Sequence, residues 1–301
     1  MVTPPDGEAE TLQVRPGVFM LVAGGTNVTV QVGKDGVLVV DAGVAGASDQ
    51  LLRAIRRLSS GPIRFIVTTH SHEEAMGGLP ALLKAAGPRV PAGGYGPLPA
   101  NAAAGAALIA HENVDNRLSN AAPSPAVDLH PTSTVGSERK DLYFNGEPIE
   151  LLPTPKAHTD GDIIAFFRSS DVISAGGILD TTSYPLVDAA AGGSLEGIIR
   201  GLTEIIGITV PERNAMGGTL VIPGRGFICN QIDVVEYRNM LVIIRDRIRD
   251  MVKNGMTLEQ VKAARPTLDY DGVYGATSGP WTTDMFIETV YRELVGARKT
   301  S

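Results

Sequence analysis

Five histidines are spread through this chain of 301 residues, and two of them, His70 and His72, stand one residue apart in THSHEEAMGG. The stretch follows the apolar run IRFIVTT, and the two-residue repeat of extended backbone puts both imidazoles on one side. At the carboxyl end of a strand, such a pair can present ligands to a divalent metal. A third histidine, His158, lies in KAHTDGD at the mouth of another predicted strand. Three imidazoles would give a zinc ion three ligands and leave one position for water. The same side chains could instead each be satisfied by ordinary hydrogen bonds, and spacing alone does not make them converge. His111 and His130 lie in a helix-and-loop region away from this stretch and are assigned no role.

The elements that must position these residues are read from hydrophobic spacing. GVFMLVAGG, NVTVQVG and GVLVVDAG alternate or run apolar at strand length and predict a β-meander. Leu51, Leu52, Ile55 and Leu58 fall at helical spacing behind Ser48 and Asp49, which suit a helix start, and Ile63 to Thr68 predicts a buried strand. The Gly-, Pro- and Ala-rich segment 88–106 predicts a long surface loop or lid before a helix near Leu108 to Leu118, and 120–137 predicts a second loop. KDLYFNG, PIELLP, DIIAFFR and DVISAGG form a second strand-rich set, with Asn145-Gly146 as a hairpin turn. Helices are predicted over Leu195 to Ile206 and Val234 to Val252, with a strand at Thr219 to Ile222 between them and two short helices closing the chain. This order predicts an α/β protein with two sheets face to face and helices outside.

Composition narrows the function classes. At 43% hydrophobic and 20% charged, the chain can build a sizeable core, which excludes disorder and fibre. No apolar run approaches the roughly 20 residues of a membrane helix, and the acidic, Pro-rich opening MVTPPDGEAE is unlike a secretory signal. A single cysteine, Cys229, excludes an internal disulfide framework and a Cys-rich zinc module. A cytoplasmic protein without a membrane role is expected. The formal charge of -7, with no basic run flanked by aromatics, argues against nucleic acid as a partner and leaves a small molecule or another protein.

TNVTVQVG, VLVVDAG, THSHEEAMGG, AHTDGD, DTTSYP and VIPGRG, in this order and approximate spacing, resemble the metallo-β-lactamase-fold hydrolase superfamily. The resemblance spans nearly the whole chain. It implies a four-layer αββα sandwich forming one domain over 1–301, with a C-terminal helical extension from about 233 to 301 and metals between the edges of the two sheets. The family's signature His-x-His-x-Asp-His reads here His70-Ser71-His72-Glu73-Glu74-Ala75, the later bridging aspartate is Gly177, and the final histidine is Arg225. The resemblance therefore implies that His70, His72 and His158 keep a first metal position while the second is lost, so that one divalent ion, Zn2+, is the expected cofactor.

Roles for the replacements follow. Glu74 stands where the family has its proton-accepting aspartate, and is either a general base or a salt-bridge partner. Arg225, whose guanidinium matches carboxylates and keeps its charge, is expected to pair with Glu74 where the second metal would sit. From there it would stabilise an anionic transition state, or else serve only as structure. Asp41 is expected to orient the metal loop rather than to react. Asp160, Asp162 and Asp180 read as turn residues, with a substitute ligand among them as the alternative. Trp281 and Tyr270 either wall the pocket or fill a subunit interface, and the interface is the favoured expectation.

Two functions from different classes result. One is a mono-metal hydrolase of small activated esters, lactones or aryl ethers, with Glu74 and Arg225 as catalytic groups, working in a homo- or hetero-oligomer. The other is a catalytically retired subunit that supports an intact paralogue. In general character the chain is similar to the subunits of two-component hydrolases that cleave electron-poor aryl methyl ethers such as 2,4-dinitroanisole, an arrangement that would unite both.

Overall fold

In β4 (Gly36–Val40) every side chain position is buried, yet successive residues serve different cores. Val37 and Val39 pack toward helices, whereas Leu38 and Val40 face a second sheet. β10 (Ile163–Phe167) repeats the arrangement, with Ile164 and Phe166 toward helices and Ile163, Ala165 and Phe167 inward. A strand covered on both faces in this way requires four layers, because a period of two sends alternate side chains to opposite sides. The computed structural model of the chain describes residues 7–91, 105–121, 129–214 and 217–300.

The first sheet runs in sequence order from β1 (Glu10–Arg15) through β2 (Val18–Ala23), β3 (Thr26–Gly33), β4, β5 (Ile63–Val67) and β6 (Ala107–His111) to β7 (Ser133–Val135). Its first four strands are antiparallel, and β4 to β7 are parallel. The second sheet has the order β12 (Leu220–Arg225), β11 (Val172–Asp180), β10, β9 (Glu147–Pro153) and β8 (Lys140–Phe144). The β8–β9 hairpin turns at Asn145 and Gly146, both at positive φ, as the sequence predicts.

Helices α1 (Ser48–Leu58) and α3 (Leu79–Ala86) cover the first sheet. The other sheet is covered by α5 (Leu195–Ile208), α6 (Gln231–Lys253) and α9 (Thr283–Thr300), with α7 (Leu258–Ala263) packed beside them. Among the described residues, no helix is long and apolar enough to cross a membrane.

A polar seam locks the two sheets at one edge. Alternate residues of β3 point at the other sheet and are buried: Asn27 donates to the Pro223 carbonyl at 2.9 Å, Thr29 donates to Ser174 Oγ at 3.0 Å, and Gln31 donates to Glu147 Oε1 at 2.6 Å. Each of these buried side chains thus makes at least one hydrogen bond, which offsets the cost of its burial. The seam also fixes how the two carboxyl-terminal sheet edges face each other, and the histidines sit there.

Several sequence expectations are corrected. The helix expected near Leu108 to Leu118 is β6 followed by α4 (Glu112–Asn120): Leu108 and Ile109 belong to a parallel strand buried on both sides, whose continuous apolar run imitates a helix. β1 lies in the stretch read as a polar opening, because an edge strand exposes alternate residues. Of the helices that close the chain, α9 is 18 residues long rather than short. Residues 92–104 and 122–128 of the two predicted loops lie outside the described residues, although Val90 and Ala106 pair across the base of the first.

Cys229 is buried on the helix side of the second sheet, and burial, with the Asp233 charge beside it, pushes its thiol up to about 12. The folded chain should therefore resist a thiol reagent such as DTNB at mildly alkaline pH and react stoichiometrically only in denaturant. Rapid labelling of the native protein would show that the Val221–Cys229 pairing opens readily.

Candidate metal centre

β4 ends at Asp41, whose φ of 66° lies in the left-handed region that few non-glycine residues enter. This turn brings its carboxylate back over the end of β5, where it accepts the Thr69 backbone N–H at 2.7 Å and the Thr69 hydroxyl at 2.9 Å. Thr69 Oγ1 in turn lies 2.9 Å from His70 Nδ1. Because the hydroxyl donates to Asp41, it accepts from Nδ1, so Nε2 of His70 faces inward and offers its lone pair to a cation once it gives up the proton it shares with Glu74. The backbone then enters the short helix α2 (Glu73–Met76), which makes room for His72 and Glu74 at the same point. Gly78, just after it, lies so close to the Ala42 carbonyl that a Cβ there would come within 2.1 Å, so glycine is required for the two loops to touch.

His158 arrives from the opposite sheet, in the loop between β9 and β10. Its Nδ1–H donates to the Leu186 carbonyl at 2.7 Å, which leaves Nε2 as the inward atom. The segment around Leu186 also supplies Asp188, whose Oδ2 lies 2.8 Å from His72 Nε2 and whose backbone N–H bonds the His158 carbonyl at 3.0 Å. His72 therefore turns Nδ1 inward, 2.8 Å from Nε2 of His158. The three rings are mutually almost perpendicular, at 87–89°, with centroids 4.6–5.2 Å apart. Glu74 Oε1 joins them at 3.4 Å from His70 Nε2 and 3.9 Å from His72 Nδ1.

The electrostatics follow from burial and neighbours. Burial works against the charge on Glu74, but the hydrogen bond and charge of His70 overcome it and hold the carboxylate down to about 2. Burial likewise opposes protonation of His70, yet Glu74, Asp41 and Asp162 together raise it. Burial and the charge of His70 lower His158 to about 3, so its ring is neutral at physiological pH. Burial raises Asp41 to about 6, against the pull of His70 and Thr69.

The donor set fits a divalent ion. One atom each from His70, His72, Glu74 and His158 lies within 4.8 Å of every other, and each imidazole has its outer nitrogen held by a carboxylate, a hydroxyl or a carbonyl. That outer bond fixes tautomer and ring direction, as ligating histidines require. All four residues are singled out by the sequence, where Glu74 is expected as a general base or a salt-bridge partner, whereas its carboxylate is also a possible fourth ligand.

The family model described as the Metallo-beta-lactamase superfamily matches residues 21–207. The chain belongs to that superfamily. The solved structure of the stereoselective inverting sec-alkylsulfatase Pisa1 from Pseudomonas sp. is similar at a TM-score of 0.67 and 13% identity, over 96% of this chain and 50% of that one. This chain thus spans about half the alkylsulfatase's length. A metallo-beta-lactamase from Pontibacter korlensis is similar at 0.57 and 16% identity, over 78% of this chain and 99% of that one. For the DIM-1 metallo-beta-lactamase the values are 0.56, 16%, 78% and 97%. Comparison with curated protein sequences finds no relative.

Within this superfamily's architecture, the altered positions are filled rather than empty. A Cβ on Gly177 would lie 2.6 Å from Cδ2 of His158, so the imidazole takes the space that an aspartate there would need. Ala75 is fully buried in the core between the first sheet and its helices. The expected Glu74–Arg225 ion pair does not form: Glu74 turns to the histidines, and Arg225 Nη1 donates to the Gly25 carbonyl at 3.1 Å. The carbonyl at the β2–β3 turn lies beside the end of β12, and Glu74 has two nearer imidazoles to satisfy it.

Asp160, Asp162 and Asp180 are turn residues, accepting from Arg117, from the Thr159 N–H, and from Thr182 and Ser183 respectively. His111 accepts the Asn113 N–H at the start of α4, and His130 pairs with Asp115. Asp188 and Thr69 escaped the sequence reading. Thr69 adjoins a recognised histidine, but Asp188 is 116 residues from His72 and carries no motif of its own.

A cation must displace a proton here, because a raised imidazole pKa means that the proton is held at higher pH than usual. Zinc content should be full above the His70 titration and fall as pH drops through it, measured by dialysis and elemental analysis across a pH series. Asp188→Asn should weaken zinc affinity by about 10–100-fold while leaving the fold intact. Unchanged affinity would show that Asp188 does not orient His72.

Proposed function

We propose that this chain is a hydrolase that works with one divalent cation, zinc by the chemistry of its donors, on small activated esters or aryl ethers. The observation that carries this reading is the convergence of Nε2 of His70, Nδ1 of His72 and Nε2 of His158, each with its other nitrogen already engaged. A divalent ion held there supplies Lewis acidity and brings the pKa of water toward neutrality. The similar structures named as an alkylsulfatase and as β-lactamases support hydrolysis as the reaction class.

The chain's own groups divide the remaining work. Glu74 Oε1, 3.4 Å from His70 Nε2 and 3.9 Å from His72 Nδ1, is placed to accept a proton from water at the centre. Arg225 lines the same cavity and keeps a fixed positive charge on the wall, where an oxygen becoming anionic is stabilised. Gly177 offers no carboxylate to bridge a second ion, and the ring of His158 closes that space. A site of this kind has little to offer a poor leaving group. It suits substrates whose departing anion is already stable, which describes activated esters and electron-poor aryl ethers.

Protein purified without chelator should carry about one zinc per chain, and His158→Ala should carry essentially none. Glu74→Gln should keep its zinc while hydrolysis of 4-nitrophenyl acetate falls by about 100-fold or more. Loss of zinc in that variant would instead make Glu74 a ligand. A wild-type chain that takes up no metal overturns the hydrolase reading and favours a subunit that supports an intact paralogue.

Gly177→Asp gives an independent check. It should fail to create a second metal position and should lower stability by about 1–3 kcal/mol through overpacking against His158, read by thermal denaturation.

A further inference from the structure

The cavity over the candidate metal centre measures about 440 Å³, and part of its lining comes from beyond the family-matched residues 21–207. Pro280 and Trp281, in the segment leading into α9, line it together with Leu179 and Leu186. Trp281, expected at a subunit interface, thus stands at the pocket. The lining also carries the polar side chains of Asn27, Asp180, Thr182, Ser183 and Arg225.

Charge on this wall is unevenly satisfied. Asp41 is held by Thr69, Glu74 by His70 and His72, and Asp180 by Thr182 and Ser183. Arg225 has only the neutral Gly25 carbonyl, and among the described residues no carboxylate forms an ion pair with it. Among the described residues, the buried indole N–H of Trp281 and the buried Oδ1 of Asn27 have no hydrogen-bond partner. Unmet buried polar atoms cost stability, and a ligand that engages them relieves that cost.

We propose that Trp281 and Arg225 select the substrate: a single aromatic ring lies against the indole and Pro280, and the oxygen that leaves as an aryloxide is held by the Arg225 guanidinium. The cavity volume suits a one-ring molecule, being near the lower end of small-ligand pockets. An indole face favours an aromatic ring over an aliphatic chain, and guanidinium favours an oxyanion over a neutral group. The assignment rests on the hydrolase reading and names its substrate class as electron-poor aryl esters and ethers.

Trp281 is the single tryptophan of the chain, so its fluorescence reports on this wall alone. With EDTA present, 4-nitrophenolate should quench that fluorescence saturably, whereas acetate should not. Arg225→Gln should weaken 4-nitrophenolate about tenfold and leave neutral nitrobenzene unchanged within about twofold. In equilibrium dialysis, Trp281→Leu should weaken 4-nitrophenolate about tenfold, and Trp281→Phe should restore most of the binding. Linear, unsaturable quenching, an equal effect of Arg225→Gln on both probes, or no effect of Trp281→Leu would each overturn the assignment. None of these measurements needs metal or turnover, so their failure is distinct from a failure to find zinc or hydrolysis.

Discussion

Three imidazole nitrogens with lone pairs aimed at one point form an arrangement that side-chain rotation would quickly disperse, and the structure around the site exists to prevent that dispersal. Each ring is held through its outer nitrogen by a group from a separate segment: Thr69 and Asp41 for His70, Asp188 for His72, and the Leu186 carbonyl for His158. Such outer bonds choose the tautomer, and the tautomer chooses which atom faces inward. The positive φ of Asp41 is part of this arrangement, since the turn it makes brings the carboxylate onto Thr69. Backbone strain at one residue is here tied to the direction of a histidine on the neighbouring strand.

The braces depend on the sandwich. His70 and His72 follow a strand of the first sheet, whereas His158, Leu186 and Asp188 belong to connections of the second. They meet because the polar seam from β3, through Asn27, Thr29 and Gln31, fixes one sheet edge against the other. Apolar packing between the sheets supplies the driving force but tolerates sliding, and the directional bonds of the seam do not.

Each altered position of the superfamily signature has its own packing consequence. With glycine at 177, the His158 ring can occupy the volume beside β11, and with alanine at 75 the short helix packs flush against the first sheet. Arg225 then points across to the β2–β3 turn rather than to Glu74. Arg225 and Trp281 both line the cavity beside the candidate metal centre. Trp281 belongs to the chain that follows the family-matched segment, where α6, α7 and α9 pack over the second sheet.

The sequence by itself determined the class of fold and most of the candidate ligand set. The strands GVLVVDAG and DIIAFFR, the Asn145-Gly146 turn, and the paired His70 and His72 are local signals, governed by periods of two and by the chemistry of single turns, so they survive in one dimension. The helix assigned to 108–118 failed because a strand buried on both faces loses its alternation. Tertiary structure decided whatever depended on the approach of distant segments. Spacing could not say that Asp188 would reach His72 or that Trp281 would face the cavity, and charge complementarity suggested a Glu74–Arg225 pair that the geometry replaced. The reason is physical: a hydrogen bond depends on distances of about 3 Å and on direction, and both are set by how two sheets and their loops pack, which residue types alone do not encode locally.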